Sequence, residues 1–369
     1  MKAQEILITV AMPVYNGARY LSEAVDSALA QTHQHLEVLL YDDGSTDGSL
    51  ALARSFSDPR VKVLSTEQNA GVGAARQALK IAARGDYIIW LDADDLYDER
   101  RVEVMLSTAL DQSADVVIDN SRYIDEAGAV LPGENRVADD VAADPFFTRL
   151  FERNAMNPHP MVSRACFEAI DFDPELTVSE DYDFWLKASW AGYRFCRLDV
   201  ALHRYRLTSG SLSSRPEPAR QAVQKIFDKY LVVDLKRLYR ARGFSDEHVQ
   251  YMACLQHLFR KNYRAALAYA AAPWPEDTEV DQDFYRGALE LKCGSDEEAE
   301  DYLRLHLQRY PESPAGLNNL GVALHRQGED ASEMWQQALA LFPGYYDATA
   351  NIDGQEALTL TQLALRRHR

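Results

Sequence analysis

Residues 86–95 read Asp86-Tyr87-Ile88-Ile89-Trp90-Leu91-Asp92-Ala93-Asp94-Asp95. A short apolar run of this kind is typical of a buried β-strand, and here it ends in three carboxylates within four residues. Because alternate side chains of an extended chain share a face, we expect Asp92 and Asp94 to point together while Asp95 points away. Two carboxylates on one face suit a hard cation such as Mg²⁺ or Mn²⁺. A solvated helix start near Asp98, capped by Asp95, explains the same residues equally well. The choice between a metal site and a helix start therefore depends on the other motifs of the chain.

Strand and helix patterns alternate along the chain before and after this stretch. They predict four strands, at residues 6–12, 36–41, 61–64 and 87–91, joined by helices. Such alternation implies right-handed crossovers and a largely parallel sheet, whose ligands bind at the carboxyl ends of the strands. Tyr15, Asp43 and the pair Asp92/Asp94 follow the first, second and fourth strands, so we expect them at one edge of the sheet. Farther along, the pattern predicts a strand at residues 114–119, a surface excursion at 122–144 and a helix at 146–153.

Composition excludes several classes of protein. The chain has 369 residues, which fits two domains, with 47% hydrophobic and 26% charged residues, typical of a soluble globular protein. A net charge of −18 argues against a nucleic-acid binder and against a polybasic membrane clamp. The four cysteines form no Cys-x-x-Cys pair, and neither a secretory signal nor a membrane-spanning run is evident. We expect a cytoplasmic protein, either free or peripheral at the inner face of the membrane.

A dinucleotide-binding fold of the dehydrogenase kind is also excluded. It requires Gly-x-Gly-x-x-Gly directly after the first strand, where this chain has Pro13-Val14-Tyr15-Asn16-Gly17. Four motifs in order instead resemble the signatures of family 2 glycosyltransferases of GT-A fold, over about residues 5 to 212. They are Met12–Gly17, Asp42–Asp47, Asn69–Gly71 with Ala75-Arg76, and Leu91–Asp95.

The resemblance implies a nucleotide-binding site. Tyr15, close after Pro13, maps to the tyrosine that packs on the nucleotide base, and Asp43 maps to the residue that binds the base edge. A carboxylate can accept a hydrogen bond from a ring N–H, and an aromatic face can stack on a base. Arg76 maps to an arginine that lines the donor site. We therefore expect Pro13, Tyr15, Asp43 and Arg76 to contact a nucleotide-sugar donor.

The resemblance also implies how the reaction is catalysed. Asp92 and Asp94 map to the residues that bind the ribose and the metal-bridged diphosphate, with Mn²⁺ or Mg²⁺ as the cofactor. Asp181 maps to the general base that removes the proton from the acceptor hydroxyl in a single, inverting displacement. The stretch Ser179–Leu186 also fits a simple helix start, with Ser179 as the cap and acids in the first turn.

The metal ligands beyond the two aspartates stay undetermined. Members of this family often carry a histidine closely after a tyrosine-arginine pair, and Thr208 occupies about that place here. His203 lies five residues earlier and does not match. Arg206 is expected to hold phosphate charge instead. His159, in a predicted turn at residues 157–160, is expected to be structural or solvent-facing, with an acceptor-site role as the alternative.

Every strong pattern after residue 213 is helical. Tyr310-Pro311 and Phe342-Pro343 lie 32 residues apart, each after an Ala/Leu-rich helix, and residues 318–339 between them resemble a tetratricopeptide repeat. We predict an α/β GT-A domain at residues 1–213, a helical linker at 214–245 and a tetratricopeptide-like domain at 246–369. A plain helical appendage is the alternative. Stacked helix pairs form concave surfaces, so the repeats are expected to recruit the acceptor or to mediate homo-oligomerisation.

These observations lead to one expectation and one alternative. The expectation is a metal-dependent enzyme that transfers a sugar from a nucleotide-sugar, a UDP-sugar first of all, to a glycan, lipid-linked or protein acceptor. The alternative is a catalytically inactive scaffold that binds partner proteins through its repeats. Intact Asp43, Asp92, Asp94 and Asp181 argue against that alternative. A sugar nucleotidylyltransferase is excluded because no Gly-rich loop follows the first strand.

Overall fold

The computed structural model describes residues 3–156, 159–173, 175–208, 216–276, 278 and 281–352. Contacts divide the chain into two compact units, Met1–Ile226 and Phe227–Arg369. Residues 157–158 of the predicted turn, residues 214–215 of the predicted linker and residues 353–369 of the predicted repeat domain lie outside the described residues.

The first unit is an α/β unit built on one mixed sheet. Its strands are β1 (Ile8–Val14), β2 (Leu36–Asp43), β3 (Val61–Thr66), β4 (Tyr87–Trp90), β5 (Leu96–Tyr97), β6 (Val116–Ile124), β7 (Val130–Asn135), β8 (Met161–Ser163) and β9 (Phe195–Arg206). Its helices are α1 (Leu21–Leu29), α2 (Ser49–Ser55), α3 (Val72–Ala82), α4 (Arg101–Gln112), α5 (Asp139–Ala142), α6 (Arg164–Ala169) and α7 (Glu180–Ala191). Short 3-10 turns occupy Ala3–Glu5 and Thr148–Phe151.

The sheet has a parallel half and a mixed half. Its order is β3-β2-β1-β4-β8-β6-β9-β5, with β7 paired to β6. Strands β3, β2, β1 and β4 are parallel, which confirms the fold class expected from the strand-helix alternation. Beyond β4, the pairs β4/β8, β6/β8, β6/β7 and β5/β9 are antiparallel, while β6 and β9 are parallel.

Strand β1 lies at the centre of the parallel half, between β2 and β4. Ile8, Val10 and Met12 are fully buried, as the continuous apolar run of a parallel strand requires. Helix α1 packs into the same core through the side chains that its helical spacing puts on one face: Leu21, Ala24, Val25 and Ala28. This burial fixes where β1 ends, and therefore where the loop after it begins.

The observed β1 begins and ends two residues later than the predicted strand, so Pro13 lies inside it. A proline lacks the N–H that a strand ladder uses. The register explains why it is tolerated here, because β4 ends at Trp90 opposite Ala11, before Pro13 is reached. The proline thus lies beyond the ladder that joins β1 to β4.

Two other predicted segments differ from the structure. Residues 122–144 are not a plain surface excursion, because β6 continues to Ile124 and pairs with β7. The helix predicted at residues 146–153 is only the 3-10 turn Thr148–Phe151. Phe147 has a φ of 49°, a left-handed conformation that interrupts an α-helix at this point.

The second unit is helical. The remaining helices of the chain are α8 (Pro216–Asp228), α9 (Val232–Ala241), α10 (Asp246–Phe259), α11 (Tyr263–Ala270), α12 (Gln282–Cys293), α13 (Asp296–Arg309), α14 (Pro314–Arg326), α15 (Ser332–Leu341) and α16 (Tyr346–Ile352). From α9 onward each helix packs against the next one along the chain. The division after Ile226 falls inside α8 and inside the predicted linker at 214–245, and α9, in the second half of that linker, packs on α10.

Close packing between helices depends on small residues in this unit. A Cβ built on Gly287 would lie 2.6 Å from Leu303 Cγ, and one built on Gly321 would lie 2.4 Å from Trp335 Nε1. Each glycine therefore lets a large side chain of the following helix reach the backbone. In the described part of the chain, the helices are all too short or too polar to cross a bilayer.

Candidate active site

The loops that follow β1, β2 and β4 lie at one edge of the sheet, because these strands are parallel neighbours. The N–H of Asn16 donates to Ser45 Oγ at 3.0 Å, and the N–H of Thr46 donates to Asn16 Oδ1 at 2.8 Å. The loop after β4 approaches the first loop closely, since a Cβ built on Gly17 would lie 2.9 Å from Ala93 Cβ. A larger residue at position 17 would push these two loops apart.

Tyr15 is the first residue after β1, and 53% of its surface is exposed. Its ring therefore has a face available for stacking against a planar group. Pro13, two residues earlier, is partly buried in the strand. Both residues lie at the sheet edge where the sequence places the donor, and their contact with a nucleotide stays a prediction.

Asp43 is the last residue of β2 and is buried. Its two carboxylate oxygens accept hydrogen bonds from the N–H groups of Ala70 (2.9 Å) and Gly71 (2.8 Å). Asn69 Nδ2 donates to the carbonyl of Asp43 at 3.3 Å. Asp43 thus fixes the loop before α3, and a ligand N–H could use only the lone pairs that remain on its oxygens.

Asp92 and Asp94 lie in a tight turn after β4 rather than in an extended strand. The N–H of Asp95 donates to the carbonyl of Asp92 at 3.1 Å, which closes the turn. The side chain of Asp92 is 35% exposed, and Asp94 is partly buried. Burial, together with the nearby charges of Asp95 and Asp92, raises the pKa of Asp94 to about 7. A bound cation would offset the repulsion among these carboxylates, so Asp92 and Asp94 fit a divalent ion as ligands.

Arg76 connects this turn to the start of α7. It is buried, and its guanidinium lies 3.2 Å from Glu180 Oε1 and 3.8 Å from Asp92 Oδ1. It also lies over the ring of Trp90, with Cζ 5.1 Å from the ring centroid. Burial is the main cause that raises the pKa of Glu180 to about 7; the charge of Arg76 opposes this rise, and the charge of Asp181 adds to it. The sequence predicted Arg76 at the site but not its pairing with Glu180.

Asp181 lies in the first turn of α7 and is partly exposed. It is one of the three carboxylates whose charge acts on Arg76, after Glu180 and Asp92. The serine cap predicted for this helix is wrong: Ser179 has a φ of 61°, and its side chain makes no capping hydrogen bond. A capping side chain needs an extended backbone to reach the first N–H groups of the helix.

Arg206 does not occupy the place that the sequence predicted for it. All three of its side-chain nitrogens bind protein groups: Nε donates to the carbonyl of Asp94 (2.7 Å), Nη1 to those of Asp125 and Glu126, and Nη2 to Glu23 (3.1 Å). The residue is buried, and its guanidinium lies over the ring of Tyr20. The expected contact with phosphate is not supported by this arrangement and stays a prediction. Arg206 holds the backbone of the Asp94 turn instead.

Asp95, His159 and His203 form a buried group of side chains next to the Asp92–Asp94 turn. Asp95, predicted to point away as a helix cap, is buried, and the next helix begins only at Arg101. His159 Nε2 and His203 Nε2 each lie 3.1 Å from Asp95 Oδ2. In the described part of the chain these are the three side chains of metal-ligating type that come within 4.8 Å of one another.

The histidine predictions therefore need correction. His159 is buried rather than solvent-facing, and His203, which did not match the family pattern, lies beside it with ring centroids 4.6 Å apart. Burial lowers the pKa of His203 to about 4, although the charge of Asp95 opposes this. The two histidines hold the pKa of Asp95 well below its usual range, against the effect of burial. In the sequence, the only sign of this cluster was two histidines without a role.

Comparisons with known proteins agree with this geometry. The family model of Glycosyl transferase family 2 matches residues 9–167. The chain is 31% identical over 225 residues to glycosyltransferase GlyG of Streptococcus pneumoniae serotype 4, covering 56% of this chain and 72% of GlyG. It is 30% identical over 221 residues to glycosyltransferase GlyA of the same organism, covering 56% of this chain but only 31% of GlyA.

Solved structures share the fold at low sequence identity. TarS 1–349 of S. aureus in complex with UDP-GlcNAc has a TM-score of 0.55 and 18% identity, covering 88% of this chain and 93% of that one. The mannosyltransferase PcManGT of Pyrobaculum calidifontis, in complex with GDP-Man and Mn²⁺, has a TM-score of 0.51 and 17% identity, covering 79% and 84%. At these identities the likeness concerns the fold alone.

Proposed function

Because this chain belongs to glycosyl transferase family 2, we propose that it is an inverting, metal-dependent enzyme that transfers a sugar from a nucleotide-sugar to an acceptor hydroxyl. The observation that carries the proposal is the buried Arg76, whose guanidinium lies between Asp92 and Glu180. One cation thus joins the turn expected to receive the donor diphosphate to the helix start that carries Asp181. A donor and a base must meet at one point for a single displacement.

The donor nucleotide lies at the edge formed by the first two loops. The exposed ring of Tyr15 stacks on the base, with Pro13 supporting the backbone before it. Asp43 recognises the base edge with the lone pairs that Ala70 and Gly71 leave free. A uridine nucleotide is our first choice, since the structural neighbour TarS was solved with UDP-GlcNAc.

Asp92 and Asp94 would hold the divalent ion, Mn²⁺ or Mg²⁺. When bound, such an ion neutralises the charge that develops on a departing diphosphate. The clustered carboxylates fit this role, because the pKa of Asp94 is raised to about 7 by burial and by its acidic neighbours. Arg206 contributes by holding the carbonyl of Asp94, which fixes the turn.

Asp181 acts as the general base for the acceptor. It is partly exposed in the first turn of α7, so an acceptor hydroxyl can reach it. Because a single base serves a single displacement, the anomeric configuration of the transferred sugar inverts. Arg76 and Glu180, which pair beside it, position this helix start rather than transfer the proton.

The acceptor is a glycan, a lipid-linked sugar or a protein, and the helical unit recruits it. Helices that pack in chain order form an elongated surface suited to a partner chain. A shortened chain of residues 1–228 tests this role, because it keeps the whole first unit, ends with α8 and removes only α9 to α16. Recruitment predicts that donor hydrolysis survives while transfer to the native acceptor falls. Full transfer by a folded, monodisperse short chain would contradict it.

A donor screen tests the proposal as a whole. The full chain is incubated with a panel of uridine, guanosine and other nucleotide sugars with Mn²⁺, and the released nucleoside diphosphate is measured. We expect slow hydrolysis of one donor class, lost in Asp94→Ala. Hydrolysis and thermal stabilisation by none of the donors would favour the inactive scaffold instead.

A further inference from the structure

Asp95, His159 and His203 form a buried cluster behind the Asp92–Asp94 turn. We propose that these three side chains bind a second metal ion, of the Zn²⁺ kind, whose role is to fix the structure of the turn. This site is separate from the ion that Asp92 and Asp94 would share with the donor. It does not depend on the proposed reaction, since it could be filled whatever the donor is.

The spacing of the ligand atoms carries the proposal. Zn²⁺ binds nitrogen and oxygen ligands at about 2.0–2.2 Å in a tetrahedral arrangement, so its ligand atoms lie about 3.3 Å apart. Asp95 Oδ2 lies 3.1 Å from His159 Nε2 and 3.1 Å from His203 Nε2. Asp92 Oδ2 lies 3.5 Å from His159 Nε2 but is not among the ligand atoms that lie within 4.8 Å of one another, so three side chains would supply the ligands and a water would complete the tetrahedron. All three ligands are buried, so an ion here would be held away from bulk solvent, which suits a structural role.

One ligand atom has no other partner. His203 is 1% exposed, and its Nε2, although 3.1 Å from Asp95 Oδ2, makes no aligned hydrogen bond. A buried ring nitrogen without a hydrogen bond is costly unless something else satisfies it. A metal ion bound between the three ligand atoms would do so through the nitrogen lone pair.

Neighbouring groups hold the side chains of two of the ligands, His203 and Asp95, and the backbone of the third, His159. Ser121 Oγ lies 3.0 Å from His203 Nδ1, so the outer nitrogen of that ring already has a hydrogen-bond partner. The N–H of Arg206 donates to Asp95 Oδ1 at 2.8 Å, which leaves Oδ2 to face the histidines. The carbonyl of His159 accepts from Arg101 at 2.7 Å. Such outer contacts orient the ligands in known metal sites.

The charges suit a divalent ion of borderline softness. Asp95 supplies a carboxylate oxygen and the two histidines supply imidazole nitrogens, which is a mixed oxygen and nitrogen donor set. Arg101, which also donates to the carbonyl of His159, is already paired with Asp119 through two hydrogen bonds of 3.0 and 2.8 Å. Two imidazoles favour Zn²⁺ or Co²⁺ over Mg²⁺, which prefers oxygen ligands.

An ion here would fasten three segments of the chain to one another. Asp95 belongs to the turn after β4, His159 precedes β8, and His203 lies in β9. The turn also carries Asp92 and Asp94, so a bond between the ion and Asp95 would fix the position of these two carboxylates. This gives the site a structural role that can be measured without any sugar donor.

Metal analysis of the full chain, purified without a polyhistidine tag and desalted, tests the proposal. We expect near-stoichiometric zinc in the wild type and in Asp94→Asn, whose side chain is outside the cluster. His203→Gln and His159→Gln should each lower the zinc content by roughly tenfold or more. Ser121→Ala keeps every ligand but loses the outer contact, so zinc affinity should fall by roughly 10- to 100-fold. His257→Gln, in the helical unit, is the matched control and should keep its zinc.

A second measurement covers the case in which the histidine variants do not fold. The wild-type chain is stripped with a chelator, and Tm is followed as Zn²⁺ or Co²⁺ is added back. The site predicts that Tm falls on stripping and recovers with either metal, and that Co²⁺ gives the strong visible absorption of tetrahedral coordination. A metal-free protein whose Tm and spectrum do not respond to either ion overturns the proposal. Zinc lost in Asp94→Asn but kept in His203→Gln also overturns it, because the ion would then occupy the other site.

Discussion

The guanidinium of Arg76 lies 3.2 Å from the carboxylate of Glu180, and each side chain is only 5% exposed. The pair joins α3 to the first turn of α7, and the same guanidinium lies 3.8 Å from Asp92. A buried charge is tolerated only when it is paired. The pairing therefore places the turn after β4 and the helix start beside Asp181 in one electrostatic unit.

Replacing Arg76 with methionine should destabilise the first unit. Above about pH 7, where Glu180 is ionised, it would then be a buried carboxylate without its partner, which costs about 3–5 kcal/mol in free energy of unfolding. Arg100→Met is the matched control, because Arg100 is 66% exposed in its ion pair with Glu103 and its loss should cost less than about 1 kcal/mol. Urea denaturation measures both. Equal losses of unfolding free energy in the two variants would show that the buried pair contributes no more to stability than the exposed pair.

Glu180→Gln should change how stability depends on pH. The pKa of Glu180 is raised from 4.5 to about 7 by burial, so the folded chain binds this proton more tightly than the unfolded chain. Wild-type stability is therefore lost as pH rises from about 4.5 to about 7, and a glutamine cannot titrate. The free energy of unfolding of the variant should rise relative to that of the wild type across this window. At higher pH the two curves of unfolding free energy against pH should be parallel. Glu168→Gln, with its side chain 63% exposed, should run parallel throughout.

Tyr15→Ala should weaken donor binding without unfolding the chain. Loss of one stacked base costs about 1–3 kcal/mol, or roughly 5- to 150-fold in Kd. Tyr15 is 53% exposed, so Tm should stay near that of the wild type. Tyr15→Phe keeps the ring and should bind almost normally in calorimetric titration. An alanine variant with unchanged Kd would remove Tyr15 from the donor site.

Asp181→Asn tests the general base. Asparagine keeps the shape of the side chain but cannot accept the proton, so kcat should fall by on the order of 10²–10⁴ while donor affinity stays near that of the wild type. Asp171→Asn is the control, since Asp171 is 75% exposed and paired with Lys80. Near-normal turnover by Asp181→Asn would assign the base to another residue.

The sequence predicted the parts of the site that follow from strand order. Tyr15, Asp43 and Asp92 lie at or just beyond the carboxyl ends of three parallel strands, so their common edge follows from alternation alone. The cluster of Asp95 with His159 and His203 could not be predicted in this way. Its members come from the turn after β4, the segment before β8 and strand β9, whose pairing in the mixed half of the sheet leaves no periodic signal.

Arg206 shows a second limit of sequence reasoning. Its position after a tyrosine at the end of β9 indicated a phosphate ligand, since a motif identifies residue types but not what surrounds them. In the folded chain Nε and Nη1 bind carbonyls at residues 94, 125 and 126. Those contacts depend on the hairpin of β6 and β7, which the sequence suggested only as a surface excursion.

The central claim is that Asp94 holds a divalent ion which receives the donor diphosphate. Calorimetric titration of the donor found in the screen tests it most directly, with the wild-type chain and with Asp94→Ala, each with and without Mn²⁺. Clustered carboxylates repel a diphosphate, so we predict binding only to the wild type and only with Mn²⁺. Equal donor affinity in the wild type with and without Mn²⁺, or undiminished Mn²⁺-dependent binding by Asp94→Ala, would contradict the claim.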